Sequence, residues 1–247
     1  MSNQNNEVLS AILAELKKLN TAIDKQSSMP STPFILKRLA AEDSARYIYE
    51  NFREVQVFIH RHETVGFAAK AAHIDGIFVE FGVDQGATIN QIAKTRPERK
   101  VFGFDSFRGL PENWSGTGLT RGRFDRGGQM PQVPPNVELV PGWFNESVPV
   151  WKRDHTGPIA FCHVDCDLYS STVTIFTELE DRFRPGTIIL FDEYFGYSDW
   201  RGGEHKAFLE MIARTGFTYK ALAVSHMGFA VELGEKTAPL SAQSAAE

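Results

Sequence analysis

The sequence of 247 residues has only two cysteines, no long apolar run and no excess of basic residues. Two cysteines are too few for a disulfide-stabilised scaffold. No stretch approaches the ~18 apolar residues that would span a bilayer, and no basic segment leads into an apolar core at the N-terminus. With 31 acidic and 26 basic residues the net charge is −5, which argues against nucleic acid as a partner. We therefore expect a cytoplasmic protein that does not act on a membrane.

The two cysteines lie close together in the segment IAFCHVDCDLY. On a β-strand, Cys162 and Cys166 would be ~13 Å apart, too far for a disulfide bond. Neighbouring strand residues face opposite ways, so Cys162, His163 and Cys166 cannot converge on one zinc ion. Two reduced, buried thiols are the expectation.

Three segments differ in composition. Leu9, Ile12, Leu16, Leu19 and Ile23 recur at heptad spacing, which predicts an amphipathic or coiled-coil helix followed by a linker over residues 1–33. The pattern is short, so self-association and docking on the same chain both remain open, and we expect a homo-oligomer. A single domain is predicted over residues 34–234, and a disordered tail over 235–247.

Within the central domain, helical spacing runs from residue 34 to about residue 72, and short apolar strands then alternate with helices. The predicted strands cover residues 77–83, 100–107, 137–144, 159–169 and 187–194, and the segment YKALAVSHMGFAVEL could add an antiparallel pair at an edge. Apolar strands alternating with helices are typical of a parallel sheet covered on both faces. The predicted fold class is α/β, with a doubly wound, mostly parallel sheet of the Rossmann-like type and a helical N-terminal extension.

Residues 108–136 interrupt this alternation with six glycines and four prolines. A loop of this length within a compact domain is usually a lid or a binding loop. It follows the second predicted strand and contains four arginines and two acids, which hints at an acidic or phosphorylated acceptor.

Six carboxylates are predicted at the ends of four strands, which share one edge in a parallel sheet. They are Glu80, Asp105, Asp165, Asp167, Asp192 and Glu193. A single acid at a strand end is often a helix cap or a turn former, but this number favours a site.

The first strand is followed by two glycines, Gly82 and Gly86, that permit a tight turn and a close backbone approach to a ligand. Glu80 precedes them where it would repel a pyrophosphate, and Asp105 lies 19 residues beyond Gly86, at the offset typical of a ribose-binding acid. A nucleoside with a cationic group and no pyrophosphate fits this pattern. S-adenosylmethionine is such a molecule.

The later carboxylates suggest a metal site. On a continuous strand Asp165 and Asp167 would share a face at ~6–7 Å, next to Asp192 and Glu193. Crowded carboxylates require protonation or a cation, and oxygen ligands favour Mg²⁺, Ca²⁺ or Mn²⁺. Salt bridges to arginine or lysine are the alternative, although few basic residues flank these segments.

Four segments together resemble the macrocin O-methyltransferase family: FVEFGVDQGATI, VFGFDSFRGLPE, HVDCDLYSST and FDEYFGYSDWRGGEHKAF. The resemblance covers roughly residues 60–232. It implies a class I S-adenosylmethionine-dependent enzyme that methylates sugar hydroxyls of natural products with the help of Mg²⁺ or another divalent cation. The chain has Asp192-Glu193 where the family's antibiotic enzymes often have two aspartates.

The resemblance also implies a role for individual residues. Cofactor binding falls to Glu80, Gly82, Gly86, Asp105, Ser106, Gly142 and Trp143; metal binding to Asp165, Asp192 and Glu193; and the general base to Asp167. His163 and His205 are rival bases. The acceptor is expected to be a small molecule, possibly a sugar.

Three other functions remain open at this point. A nicotinamide oxidoreductase would share the sheet, but the glycine spacing differs from GxGxxG and the acid cluster would have no purpose. A metal-independent methyltransferase acting on a small molecule or a protein would not need the clustered acids. A non-catalytic scaffold that assembles through the N-terminal helix would tolerate the loss of the cofactor site.

Overall fold

The structure is a computed structural model that describes residues 17–18 and 31–237. The chain divides into two compact units, Met1–Arg38 and Leu39–Glu247. In the first unit residues 17 and 18 are helical, and helix α1 begins at Thr32. The rest of the predicted heptad helix lies outside the described residues. The second unit contains the sheet.

Most elements follow one another as predicted, but the strand Gln56–Val57 and the helix Phe144–Asp154 were not predicted, and the ends of other elements differ. The helices are α1 Thr32–Asn51, α2 Arg61–Ala71, α3 Ala87–Thr95, α4 Phe144–Asp154, α5 Tyr169–Leu179 and α6 Glu204–Thr215. The strands are β1 Gln56–Val57, β2 Ile77–Phe81, β3 Val101–Asp105, β4 Val137–Pro141, β5 Ile159–Val164, β6 Ile188–Phe191, β7 Phe217–Val224 and β8 Phe229–Lys236.

One eight-stranded sheet has the order β1-β7-β8-β6-β5-β2-β3-β4. The strands are parallel except β8, which runs antiparallel to both β6 and β7. The chain moves outward from β2 in one direction through β3 and β4, and then resumes on the other side at β5. The predicted doubly wound α/β fold is confirmed, and its topological switch point lies between β2 and β5, where such sheets bind ligands.

The central strands are buried on both faces because their residues are almost all apolar. Each of the six residues of β5 is buried, and two apolar clusters lie on the two sides of the sheet. Both cysteines are buried and free, as expected. A sheet covered on both faces leaves its carboxyl edge as the place where polar groups can meet.

Three predicted boundaries were wrong. The helical stretch from residue 34 to 72 is broken by the short strand β1, which separates α1 from α2. The C-terminal pair is not simply added at an edge, because β8 inserts between β6 and β7. Residues 235 and 236, assigned to a disordered tail, complete β8, and residues 238–247 lie outside the described part.

Among the described residues, no helix is both long and apolar enough to cross a membrane.

Candidate active site

A cavity of about 650 Å³ opens at the carboxyl ends of β2, β3 and β5. This size is within the range of small-molecule sites. Seven of the predicted site residues line it: Gly82, Asp105, Ser106, Trp143, Asp165, Asp167 and Glu193. The wall also contains residues that sequence reasoning did not single out, among them Arg61, Asp84, Thr88, Phe124, Phe144 and Ser171.

The β2–α3 turn depends on its two glycines. Gly82 has φ +94°, and a Cβ there would lie 1.7 Å from the carbonyl oxygen of Asp165. Only glycine therefore allows the ends of β2 and β5 to come this close. Gly86 has φ +81° and precedes α3, with Pro131 packed against it. It shapes the turn but does not line the cavity.

The carboxylate of Asp105 organises this turn from the end of β3. One oxygen accepts hydrogen bonds from the backbone N–H groups of Val83 (2.8 Å) and Asp84 (2.9 Å), and the other from that of Phe107 (2.7 Å). A carboxylate has about four acceptor positions, so one is left for a further donor. Asp105 faces the cavity at the place predicted for a ribose ligand, with Ser106 next to it.

Glu80 is placed differently from the prediction. Its side chain is fully buried, accepts a hydrogen bond from Thr88 (3.1 Å) and pairs with His163, whose Nδ1 lies 2.8 Å from Oε2. Glu80 does not line the cavity, because its carboxylate is directed into the protein interior toward Thr88 and His163. Burial alone would lower the pKa of His163, but Asp192 and Glu80 outweigh it and raise the pKa to about 10. Without a bound cation the histidine is therefore held in its charged form, and a metal ion at Nε2 would have to replace its proton.

The acidic cluster forms where β5 and β6 end. Asp165 and Asp192 directly follow the two strands, and Glu193 comes next, its backbone N–H donating to the buried carboxylate of Glu204 (3.2 Å). Burial and the charge of Asp192 raise the pKa of Asp165 and of Glu193 well above the usual range. For Asp192 the effect of burial is outweighed by His163, Glu193 and Arg61, and its pKa falls to about 2. Asp192 is thus the permanently charged member.

Arg61 provides the cation for this cluster. Its Nε lies 2.5 Å from Oδ1 of Asp192, and its Nη2 donates a hydrogen bond to Oδ2 of Asp165. Burial would lower the pKa of Arg61, but Asp165, Asp192 and Glu193 raise it, so the guanidinium stays charged. The sequence did not suggest this partner, because Arg61 is 104 residues away from Asp165.

The cluster also meets the requirements of a metal site. Donor atoms of His163, Asp165 and Asp192 all lie within 4.8 Å of one another. Nε2 of His163 is buried, 3.9 Å from Oδ1 of Asp192, and within the described part of the chain it has no hydrogen-bond partner. Metal-bound histidines commonly donate their other ring N–H to a carboxylate, as His163 can to Glu80. The residues therefore fit a divalent cation, with His163 rather than Glu193 in the closest group.

Asp167 lies beyond β5, which ends at Val164. The prediction that Asp165 and Asp167 share one face of a continuous strand was wrong. Asp167 instead adopts a left-handed conformation, with φ +67°, in the turn before α5, and this brings its carboxylate to the cavity. Burial, with a contribution from Asp192, raises the pKa of Asp167 to about 7. A group with such a pKa can accept a proton near neutral pH.

His205 is not placed to act as a base. It is 7% exposed, does not line the cavity, and packs edge-on against Tyr47, Tyr194 and Trp200 with ring centroids 4.8–5.2 Å apart. Burial, with the nearby Arg201, lowers its pKa to about 4.

Gly142 is likewise outside the cavity wall, although its neighbour Trp143 is part of it.

The segment of residues 108–136 is an ordered cover beside the cavity. Backbone hydrogen bonds join Leu110 to Arg123 and to Gly122, and Trp114 to Leu119. Leu110 and Phe124 line the cavity, and Arg126 pairs with Asp84 at 2.6 Å. None of the four arginines of this segment, all of them described, lines the cavity.

Residues 79–194 match the family model described as "Methyltransferase domain". Over these residues the chain is similar to a methyltransferase domain. The match begins within β2 and ends just after the acidic cluster that follows β6, so it contains the residues that line the cavity except Arg61. It confirms the resemblance to class I methyltransferases derived from the four sequence segments.

A curated relative comes from Streptomyces olivaceus and is named 8-demethyl-8-(2,3-dimethoxy-alpha-L-rhamnosyl)-tetracenomycin-C 4'-O-methyltransferase. It is 25% identical over 56% of this chain, and the match spans 61% of the relative's own length. Two solved structures share the fold of the methyltransferase domain. They are the O-methyltransferase NovP (TM-score 0.55, 20% identity, 71% of this chain and 80% of that one) and the calicheamicin methyltransferase CalS11 (0.56, 21%, 84% and 95%).

Proposed function

We propose that this protein is an S-adenosylmethionine-dependent O-methyltransferase that methylates a hydroxyl of a small molecule, a sugar of a natural product or glycan. The family match over the residues that build the cavity is the observation that carries the proposal. The naming of the curated relative as a sugar-type O-methyltransferase supports the acceptor class.

The cofactor half of the cavity lies between the β2–α3 turn and Asp105. Gly82 leaves room for a ligand over the switch point, and Asp105 and Ser106 offer acceptors to ribose hydroxyls. Trp143 and Phe144 supply flat apolar surface on the β4 side, suited to an adenine ring. These residues bind and orient the cofactor, whose sulfonium supplies an activated methyl group.

The acceptor half lies at Asp165, Asp167 and Glu193. A hydroxyl oxygen is a poor nucleophile until its proton is removed, and Asp167 is the base that we assign to this step. Two further effects provide the rest of the rate enhancement. The hydroxyl oxygen is positioned in line with the methyl group, and Leu110 and Phe124 exclude water.

His163, Asp165 and Asp192 would hold a divalent cation, with Glu193 beside them. Such a cation, when bound, lowers the pKa of a nearby hydroxyl and fixes its position. A metal-independent methyltransferase is the second candidate, because Arg61 already places a positive charge on Asp165 and Asp192.

Calorimetry with S-adenosylmethionine tests the first part of the proposal. We expect binding, no binding of NAD, and an affinity lowered at least about tenfold in Asp105→Asn, since a charged acceptor of hydrogen bonds is lost. Asp75→Asn is the matched control, because Asp75 is exposed and outside the cavity. Unchanged affinity in Asp105→Asn would remove the ribose assignment.

Methyl transfer from labelled cofactor to a panel of sugars tests the second part. Loss of transfer in EDTA and its return with Mg²⁺ are expected for the metal-dependent mechanism. Full activity in EDTA would favour the second candidate, in which Arg61 supplies the charge. Binding of the cofactor without transfer to any hydroxyl would support a scaffold.

A further inference from the structure

Arg61 and a divalent cation would need the same two carboxylates. Its guanidinium contacts Asp165 and Asp192, which together with His163 form the group of donors within 4.8 Å of one another. A cation bound to these carboxylates would lie beside a second positive charge that already uses their lone pairs. Two positive charges held by the same carboxylates repel each other strongly in a partly buried site. We therefore expect the guanidinium of Arg61 and a divalent cation to exclude each other.

Arg61 does not satisfy every polar group around it. Nε2 of His163 is fully buried and has no hydrogen-bond partner among the residues that the structure describes, although it lies only 3.9 Å from Oδ1 of Asp192. Buried polar atoms of this kind usually have a partner. The arrangement with Arg61 in place is thus incomplete on the histidine side, which is the side a metal ion would complete.

The side chain of Arg61 can leave without a change of fold. Arg61 is the first residue of α2, and its backbone is fixed on both sides: the N–H of His60 donates to the carboxylate of Glu63 (3.0 Å), and Gln91 donates to the carbonyl of His62 (2.5 Å). The Arg61 side chain, in contrast, is 49% exposed. Within the described part of the chain, its rotation toward solvent breaks the two ion pairs with Asp165 and Asp192.

We propose that Arg61 is a built-in counter-ion of the acidic cluster, which a divalent cation must displace in order to bind, so that Arg61 sets the cation affinity of the site. The inference rests on the metal site of the proposed function. In the cation-free protein the guanidinium of Arg61 covers the carboxylates of Asp165 and Asp192 and balances their negative charge. On cation binding its side chain moves out along the cavity wall.

Titration with Mn²⁺ tests the proposal directly. Calorimetry, with electron paramagnetic resonance to count free Mn²⁺, should show at least about tenfold tighter binding by Arg61→Gln than by the unchanged protein, because a competing positive charge has been removed. Arg61→Lys keeps the positive charge, so its affinity for Mn²⁺ should equal that of the unchanged protein or exceed it only slightly. Equal or weaker binding by Arg61→Gln would overturn the proposal.

Arg201→Gln is the matched control. Arg201 makes two hydrogen bonds of 3.0 Å to a single carboxylate, that of Asp43, and removing it changes the net charge by the same amount. Arg201 is absent from the cavity wall. Its variant should bind Mn²⁺ as the unchanged protein does, and a gain as large as that of Arg61→Gln would mean that only overall charge matters.

A second measurement follows the unchanged protein and uses a variant only to assign the resonance. In the unchanged protein, the Nε–H resonance of Arg61, assigned by its loss in Arg61→Lys, should shift as Mg²⁺ is added and exchange faster with solvent. A resonance that stays unchanged while Mg²⁺ binds would overturn the displacement.

Parallel titration with S-adenosylmethionine separates this inference from the proposed function. If the cofactor binds and Mn²⁺ binds without any effect of Arg61, only the displacement is wrong. If the cofactor binds and neither the unchanged protein nor Arg61→Gln takes up Mn²⁺, the metal site and the displacement are both wrong. Failure to bind the cofactor would instead reject the proposed function.

Discussion

Nδ1 of His163 lies 2.8 Å from Oε2 of Glu80, and both side chains are completely buried. The pair connects adjacent central strands, β2 and β5, directly below the cavity. It also separates two negative charges, Glu80 and Asp192, by a positive one. The charged histidine thereby stabilises acids on both sides of it.

Removal of the charge of Glu80 should destabilise the fold. Glu80→Gln keeps the size of the side chain but leaves His163 without its balancing charge, and we expect a loss of about 3 kcal/mol, as is usual when one partner of a buried pair is removed. Urea unfolding measures it. Glu138→Gln, which breaks the exposed pair with Lys100, should cost less than about 1 kcal/mol. Equal losses would show that the buried pair has no special weight.

A side chain at Gly82 should not be tolerated. In Gly82→Ala the new Cβ would meet the carbonyl oxygen of Asp165 at a position with φ +94°, so the ends of β2 and β5 would have to separate. We expect a loss above about 4 kcal/mol, an unusually large effect for one methyl group. Gly118→Ala is the control. Gly118 also has a positive φ, +80°, but a Cβ there would have no described atom within 4 Å, so the free energy of unfolding should fall by only about 1 kcal/mol. Thermal or urea unfolding distinguishes the two.

Asp167→Asn should lower kcat by a factor of about 10²–10⁴, because the asparagine nearly keeps the shape but cannot accept the proton. The affinity for S-adenosylmethionine, measured by calorimetry, should stay nearly the same. His205→Gln should have a much smaller effect on kcat, since His205 lies outside the cavity wall. If the histidine variant were the inactive one, the assignment of the base would have to be reversed.

The buried His205 should make the fold sensitive to acid. Its pKa is lowered to about 4, whereas a histidine in the unfolded chain titrates near 6.5. Between these values the unfolded chain takes up a proton that the folded protein does not. The stabilisation is therefore fully present above about pH 6.5 and is lost as the pH falls toward about 4.

Urea unfolding at pH 7 and pH 5 checks this dependence. Between the two values the unchanged protein should lose roughly 1 kcal/mol more than His205→Gln, after allowance for partial solvent screening of the ring. An identical pH dependence of the two proteins would contradict the prediction. The comparison cancels the contribution of the acidic cluster, which both proteins share.

The sequence predicted the sheet well because its strands are apolar throughout, and a strand buried on both faces leaves this pattern wherever it lies. It placed Asp105, Asp165 and Asp192 correctly at strand ends for the same reason. It could not place Asp167, because the pattern IAFCHVDCDLY continues past Val164, and only the left-handed turn shows where β5 stops.

The ionic partners of Asp165 and Glu80 could not be predicted from the sequence, for a different reason. Arg61 meets Asp165 through the packing of α2, a relationship that no local spacing records. Glu80 was predicted to face a ligand because it precedes a glycine turn. Whether a strand residue points at the cavity or beneath it depends on its neighbours, here His163 and Thr88.

The antiparallel insertion of β8 also orders the events of folding during synthesis. Strands β2 to β6 can pair as soon as residue 191 has left the ribosome. Their carboxyl ends and the turns between them carry the candidate site residues from Gly82 to Asp167, and Asp192 and Glu193 directly follow β6. β7 and β1 cannot join them, because both connect to β6 only through β8, residues 229–236. Until that last strand emerges, the apolar edge of β6 stays open, and a nascent chain at this stage exposes a surface that chaperones bind.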